Sequence, residues 1–150
     1  MHAIPAAHPP VDSQTGPAAV VLLRVSLGVM FLAHSVILKL FTFGLAGTAA
    51  FFAGIGLPGS LAYVTFAAEL LGGALLILGV QTRWVALALS PILLGAIFWV
   101  HAKNGWMFGN PNGGWEYPLY LFVLCAAQAL LGDGPFALSP SWTPRSWRRS

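Results

Sequence analysis

Four apolar stretches, Ala18–Leu40, Ser60–Val80, Arg83–His101 and Tyr117–Leu131, take up most of the chain. A hydrocarbon layer about 30 Å thick is crossed by about 20 helical residues, so each stretch approaches spanning length. Inside such a layer every backbone N–H and C=O must bond within the protein, which leaves helices or closed barrels. Unbroken apolar runs of this length point to helices. The pattern predicts an all-α fold, a bundle of four transmembrane helices. Composition agrees: 57% of residues are hydrophobic and 7% charged, against about 25% charged in soluble domains. So few charges cannot cover a water-exposed surface. A chain of 150 residues has room for one domain of about four spans.

The intervening segments differ in kind. Residues 1–17 are rich in Pro, Ala and polar residues and read as a flexible tail. They carry no Lys or Arg, a poor start for a cleaved signal, so the first apolar stretch reads as a retained span. Residues 41–59 are apolar but broken by five glycines and one proline. We expect a short interfacial or re-entrant helix near Gly47–Ala53 there, ended by "GIGLPG". The membrane domain is then 18–136, followed by a basic tail, 137–150. Basic residues set orientation. Arg24, Arg83, Arg145, Arg148 and Arg149 fall on one side and Lys39 and Lys103 on the other. This asymmetry places both termini in the cytoplasm and the 102–116 loop outside.

Ionisable groups inside a membrane cost a few kcal/mol each and therefore mark function or structure. Arg24, Lys39, Arg83 and Lys103 lie near span ends and read as anchors whose long stems reach the headgroups. Glu69 is different. It stands about nine residues into the second span, some 13–14 Å deep. Ala68 and Gly72 beside it form a small-residue face suited to close helix packing. We expect Glu69 to point inward, protonated unless it pairs with a basic group, and only His34 lies near its depth. His34, Glu69, His101 and Glu116 with Tyr117 and Tyr120 bring polar groups from all four spans into the outer half. Glu116 and Tyr120 share a helix face at i,i+4. Each group alone has a structural explanation, and their convergence is what suggests a site.

The chemistry open to such a set is limited. The single Cys125 allows no internal disulfide and no Cys-based metal centre. The paired Glu-x-x-His motif of carboxylate-bridged metals is missing. A metal, or a haem between His34 and His101, stays open as a lesser alternative. A quinone headgroup suits the set better, because its carbonyls want His, Tyr or Glu and its protons can pass through a carboxylate and a histidine. Nothing in the chain resembles a nucleic-acid or nucleotide motif. Pro91 in the third span removes one backbone bond and predicts a kink there.

Three stretches, "RVSLGVMFLAHSVILKL", "FFAGIGLPGSLAYVTFAAELLGGALLILGVQTRWVALAL" and "HAKNGWMFGNPNGGWEYPLYLF", resemble the DoxX-like membrane proteins. The matching positions are Arg24, Gly28, His34 and Lys39, then Glu69, Gly72, Gly79 and Arg83, then His101, Gly113, Gly114, Glu116 and Tyr117. Ser35 stands where a glycine commonly follows the histidine. The resemblance covers residues 20–136. It implies a four-helix membrane fold and a link to quinone-coupled oxidation or to thiol and oxidative-stress defence. The reading that follows is a multi-pass protein of a bacterial-type inner membrane, a small subunit of a redox system that binds a quinone or other small ligand. Glu69 and His34 would handle protons, and His101, Glu116, Tyr117 and Tyr120 would bind the ligand. A partner redox protein is implied, and the oligomeric state stays open. The rival reading is a non-catalytic membrane anchor for an extracytoplasmic enzyme.

Overall fold

The computed structural model describes residues 12–143. The start of the N-terminal tail and Arg145, Arg148 and Arg149 lie outside the described residues. The described residues form five helices and no strand. They are α1 (Gly16–Thr42), α2 (Leu45–Gly54), α3 (Leu61–Leu78), α4 (Thr82–Asn104) and α5 (Glu116–Leu131). Three of them, α1, α3 and α4, are long and apolar enough to cross a membrane, while α5 has 16 residues. The helix expected near Gly47–Ala53 is α2.

Local chemistry accounts for the helix ends. Asp12 accepts from the backbone of Gln14 and Thr15 in a turn before α1, and Pro17 fits the first helical turn, where no N–H is needed. At the other end of α3, Gly79 takes a left-handed conformation, φ 70°, and closes the helix. Val80 and Gln81 then turn directly into α4. That turn makes α3 and α4 an antiparallel pair.

The helices close into a ring in which α1 packs on α3, α3 on α4, α4 on α5 and α5 on α1. Leu27, Phe31, Leu76, Leu89, Leu93 and Cys125 fill its centre. Large apolar side chains such as Leu22, Leu71, Val123 and Leu130 face outward, as a lipid-facing surface requires. Between lipid-embedded helices packing replaces the hydrophobic effect as the main attraction, and small residues allow it. The α1–α3 crossing shows this at Gly28 and Gly73. A Cβ on Gly28 would lie 2.6 Å from the Gly73 carbonyl oxygen, and one on Gly73 would lie 2.8 Å from that of Gly28. Ser35 is fully buried and donates to Leu32 O at 3.1 Å, so packing at that position is tight.

Two helices change register toward the end that carries the 102–115 loop. From Ala33 to Thr42, α1 continues as a π-helix, and α4 does the same over Ala96–His101. Pro91 does not end α4, which stays α-helical to Gly95. π-Helical turns are rare and concentrate at functional sites. Their effect here is geometric. In an α-helix, residues five apart point about 140° away from each other. With i→i+5 bonding the turn widens and the angle between them narrows, which brings His34 and Lys39 toward one face of α1.

The opposite end of the bundle, at the start of α1 and the end of α5, is tied by polar groups. Asp133, just beyond α5, accepts from the Thr82 backbone N–H at 2.9 Å and so caps the start of α4. Arg83, in the first turn of α4, donates to the Ala129 and Leu130 carbonyls at the end of α5. Each helix of the pair thus satisfies orphan groups of the other. Arg24 is 2% exposed and donates to the carbonyls of Asp133 and Phe136. Arg24 and Arg83 therefore bind backbone carbonyls, where headgroup anchoring was expected. The Cα–Cβ bonds of a helix lean toward its N-terminus, and for Arg24 that direction leads to the segment after α5.

Candidate functional site

A cavity of about 480 Å³ lies at the loop end, between α1, α3, α4 and α5, with α2 against its side. Most of its wall is apolar, with Phe31, Phe52, Leu93, Trp99 and Leu121 among the lining residues. The polar side chains that reach it are His34, Lys39, Thr48, Thr65, Glu69, His101 and Tyr117.

Glu69 pairs with Lys39, Nζ to Oε2, at 2.5 Å. Their side chains are 15% and 5% exposed for Lys39 and Glu69. Lys39 was expected to anchor the outer end of the first span, and Glu69 to lack a cation other than His34. Both expectations change for one reason. α1 and α3 run antiparallel, and side chains lean toward the N-terminus of their own helix. Lys39 therefore leans inward from the loop end, and Glu69 leans up to meet it. Thr48 and Thr65 bond to carbonyls of their own helix ends, Gly44 and Ala62. Glu69 Oε1 has no hydrogen-bond partner among the described residues.

Both histidines are held by one nitrogen. His34 Nδ1 lies 3.0 Å from Met30 O, and His101 Nδ1 lies 2.9 Å from Gly113 O. A carbonyl oxygen can only accept, so each Nδ1 carries the proton. This leaves each Nε2 without a partner among the described residues, an acceptor when the ring is neutral and a donor when it is charged. His34 also stacks on Tyr117, with centroids 6.4 Å apart and planes at 21°.

Glu116 and Tyr120 are not part of the cavity wall. They share a face of α5 at i,i+4, where Tyr120 is 62% exposed and Glu116 half-buried. The cavity face carries Tyr117 and Leu121. Glu116 instead accepts from the Phe108 backbone N–H at 3.0 Å and gathers in the 105–114 loop. Lys103, at the end of α4, stays exposed as an interfacial residue would. The groups that the sequence reading did not pick out are Thr48, Thr65 and Trp99, together with the inward role of Lys39. Its setting between Leu38 and Leu40 was the available signal, because nothing polar accompanies it toward the surface. Among the described residues, no three His, Cys, Asp or Glu side chains form a group that could hold a metal ion.

Long apolar helices around a mostly apolar cavity at one end define a helical membrane protein. The DoxX family model matches residues 19–102, more than half of the chain. A Bacillus subtilis (strain 168) protein named "Putative oxidoreductase CatD" is 40% identical over 119 residues, 79% of this chain and 83% of that one. The chain belongs to the DoxX family, as its resemblance implied. Arg24, His34, Lys39, Glu69, Arg83 and His101 all fall within the matched region, while Glu116 and Tyr117 lie beyond it. No solved structure matches the chain.

Proposed function

We propose that the chain is a small membrane subunit of a redox system and that its cavity binds a quinone or a similarly built small ligand. One observation carries the reading. A buried ion pair and two histidines with free Nε2 atoms line a mostly apolar space of about 480 Å³, within the usual range of about 300–1,000 Å³ for small-molecule sites. The name of the Bacillus subtilis relative, 40% identical, supports the link to oxidation and reduction. A quinone, when bound, supplies the two-electron chemistry, with a partner redox protein as the other side of the exchange. His34 and His101 present Nε2 to polar atoms of the ligand. Lys39 and Glu69 exchange protons with the ligand across a short hydrogen bond, and Tyr117 borders the site.

The test uses the purified full chain in mild detergent with a short-tailed benzoquinone as probe. His101→Ala and His34→Ala are expected to weaken binding roughly tenfold each, the loss of one good hydrogen bond in a dry site. Glu116→Ser is expected to leave binding nearly unchanged. Unchanged binding in both histidine variants overturns the reading in favour of the non-catalytic anchor.

The membrane arrangement belongs to the same proposal: four spans, with α5 as the fourth and both termini in the cytoplasm of a bacterial-type cell. The helix α5 is about 24 Å long at 1.5 Å per residue, and Trp115 and Gly132 extend it on either side. A cysteine placed at Lys103 is expected to react with an impermeant thiol reagent from outside the cell. Cys125 is buried and gives little background. Labelling only from the cytoplasmic side would reverse the orientation.

A further inference from the structure

A second, more open depression of about 420 Å³ runs beside α1. Val25, Ser26, Val29 and Ala33 line it and do not line the cavity. Met30, His34 and Tyr117 line both spaces. These three side chains form a wall common to both spaces. Of these, methionine is flexible and unbranched. The other two are the stacked pair of His34 and Tyr117, and the tyrosine hydroxyl makes no hydrogen bond among the described residues. Phe108 rests against Tyr117 from outside, with centroids 5.6 Å apart, and Glu116 holds the backbone of Phe108.

The position of the depression matters. Val29 is 54% exposed and stands about 20 Å along α1 from its start at 1.5 Å per residue. At that depth an exposed valine faces lipid. The cavity collects its polar groups on one side of the partition, and the groove offers apolar surface on the other. A space of about 480 Å³ suits a headgroup, and a long chain attached to it must lie elsewhere. The groove is the neighbouring space, across the side chains that line both.

We propose that the His34–Tyr117 pair is a lateral gate, and that the ligand is an amphiphile that enters from the bilayer. Its polar head occupies the cavity, and its apolar tail passes between Met30 and Tyr117 and lies along α1. The loop sets the gate, because Glu116 positions Phe108 and Phe108 positions the ring of Tyr117. This inference rests on the cavity being a ligand site.

The experiment compares two quinones with the same ring, one short-tailed and one long-tailed, bound to the purified full chain. Val29→Trp fills the groove without touching the cavity, and Val29→Ala is the size control. Val29→Trp is expected to weaken the long-tailed probe roughly tenfold, as when a couple of chain methylenes are forced off an apolar surface. The short-tailed probe keeps its affinity. Phe108→Ala frees the gate and is expected to speed exchange of the long-tailed probe while leaving its affinity unchanged. Equal effects of Val29→Trp on both probes, or none on either, overturn the gate and leave the cavity reading standing. Failure of the unaltered protein to bind either probe overturns the cavity reading itself, and the gate with it.

Discussion

Lys39→Met is expected to destabilise the protein by about 3–5 kcal/mol, the usual cost of removing one partner from a buried ion pair. The cost arises because Glu69 remains. Its side chain is 5% exposed, and a carboxylate left alone there must bear its desolvation or take up a proton. Glu69→Leu should cost a similar amount for the opposite charge, although the longer lysine stem can swing partly toward the headgroups. Glu69→Gln should cost less than Glu69→Leu, since the amide still accepts from Lys39. The double variant Lys39→Met/Glu69→Leu should recover most of the loss, as apolar replacements of whole buried pairs often do. Thermal unfolding in one detergent, with all four variants, gives the coupling energy directly. If Lys39→Met costs less than about 1 kcal/mol, the pair is not a desolvated ion pair and Glu69 is already neutral.

That pair also shows where the sequence was legible and where it was not. The spans could be read closely, Ser60–Val80 against a helix at Leu61–Leu78, because apolar length responds to the solvent and little else. The short helix before α3 could be read from its glycines and proline. The site could be read only as a set of residue types. Its geometry depends on hydrogen-bond register, and apolar side chains carry no signal that distinguishes i→i+4 from i→i+5 bonding. An α-helical projection separates His34 from Lys39, while the π-helix brings them together. Glu116 and Tyr120, which do not line the cavity, show a second effect. Their common face was right, but one residue of offset is 100° of rotation, and Tyr117, 37% exposed, is the one that borders the cavity. Depth alone likewise assigned Lys39 and Arg24 to the headgroups. The lean of side chains toward each helix N-terminus sends both into the protein.

Arg24 gives the second large effect. Its guanidinium donates to Asp133 O at 2.7 Å and Phe136 O at 3.2 Å, and the residue is 2% exposed. Arg24→Ala should cost about 2–6 kcal/mol, since it strips donors from two carbonyls at about 1–3 kcal/mol each. Arg24→Lys is the sharper test. An ammonium keeps the charge but not the planar fork, so it cannot serve both carbonyls with the same geometry. It should recover about half of the loss. A headgroup anchor would tolerate lysine without cost. Acid should weaken the same end of the molecule through Asp133. Burial pushes its carboxyl up, but hydrogen bonds from Ser141 and Thr82 outweigh this and hold it below its ordinary value. A carboxyl depressed on folding contributes stability that is complete above its unfolded value, near 3.9. The contribution is lost as pH falls through the lower native value. The melting temperature should therefore drop on acidification below about pH 4. Asp133→Asn should melt lower at neutral pH, because a single amide oxygen replaces two that accept from Thr82 and Ser141. It should also lose less on acidification. Equal acid sensitivity in both proteins would mean that Asp133 does not secure the junction of α4 and α5 by its charge, and Arg24 would then be the main tie at that end.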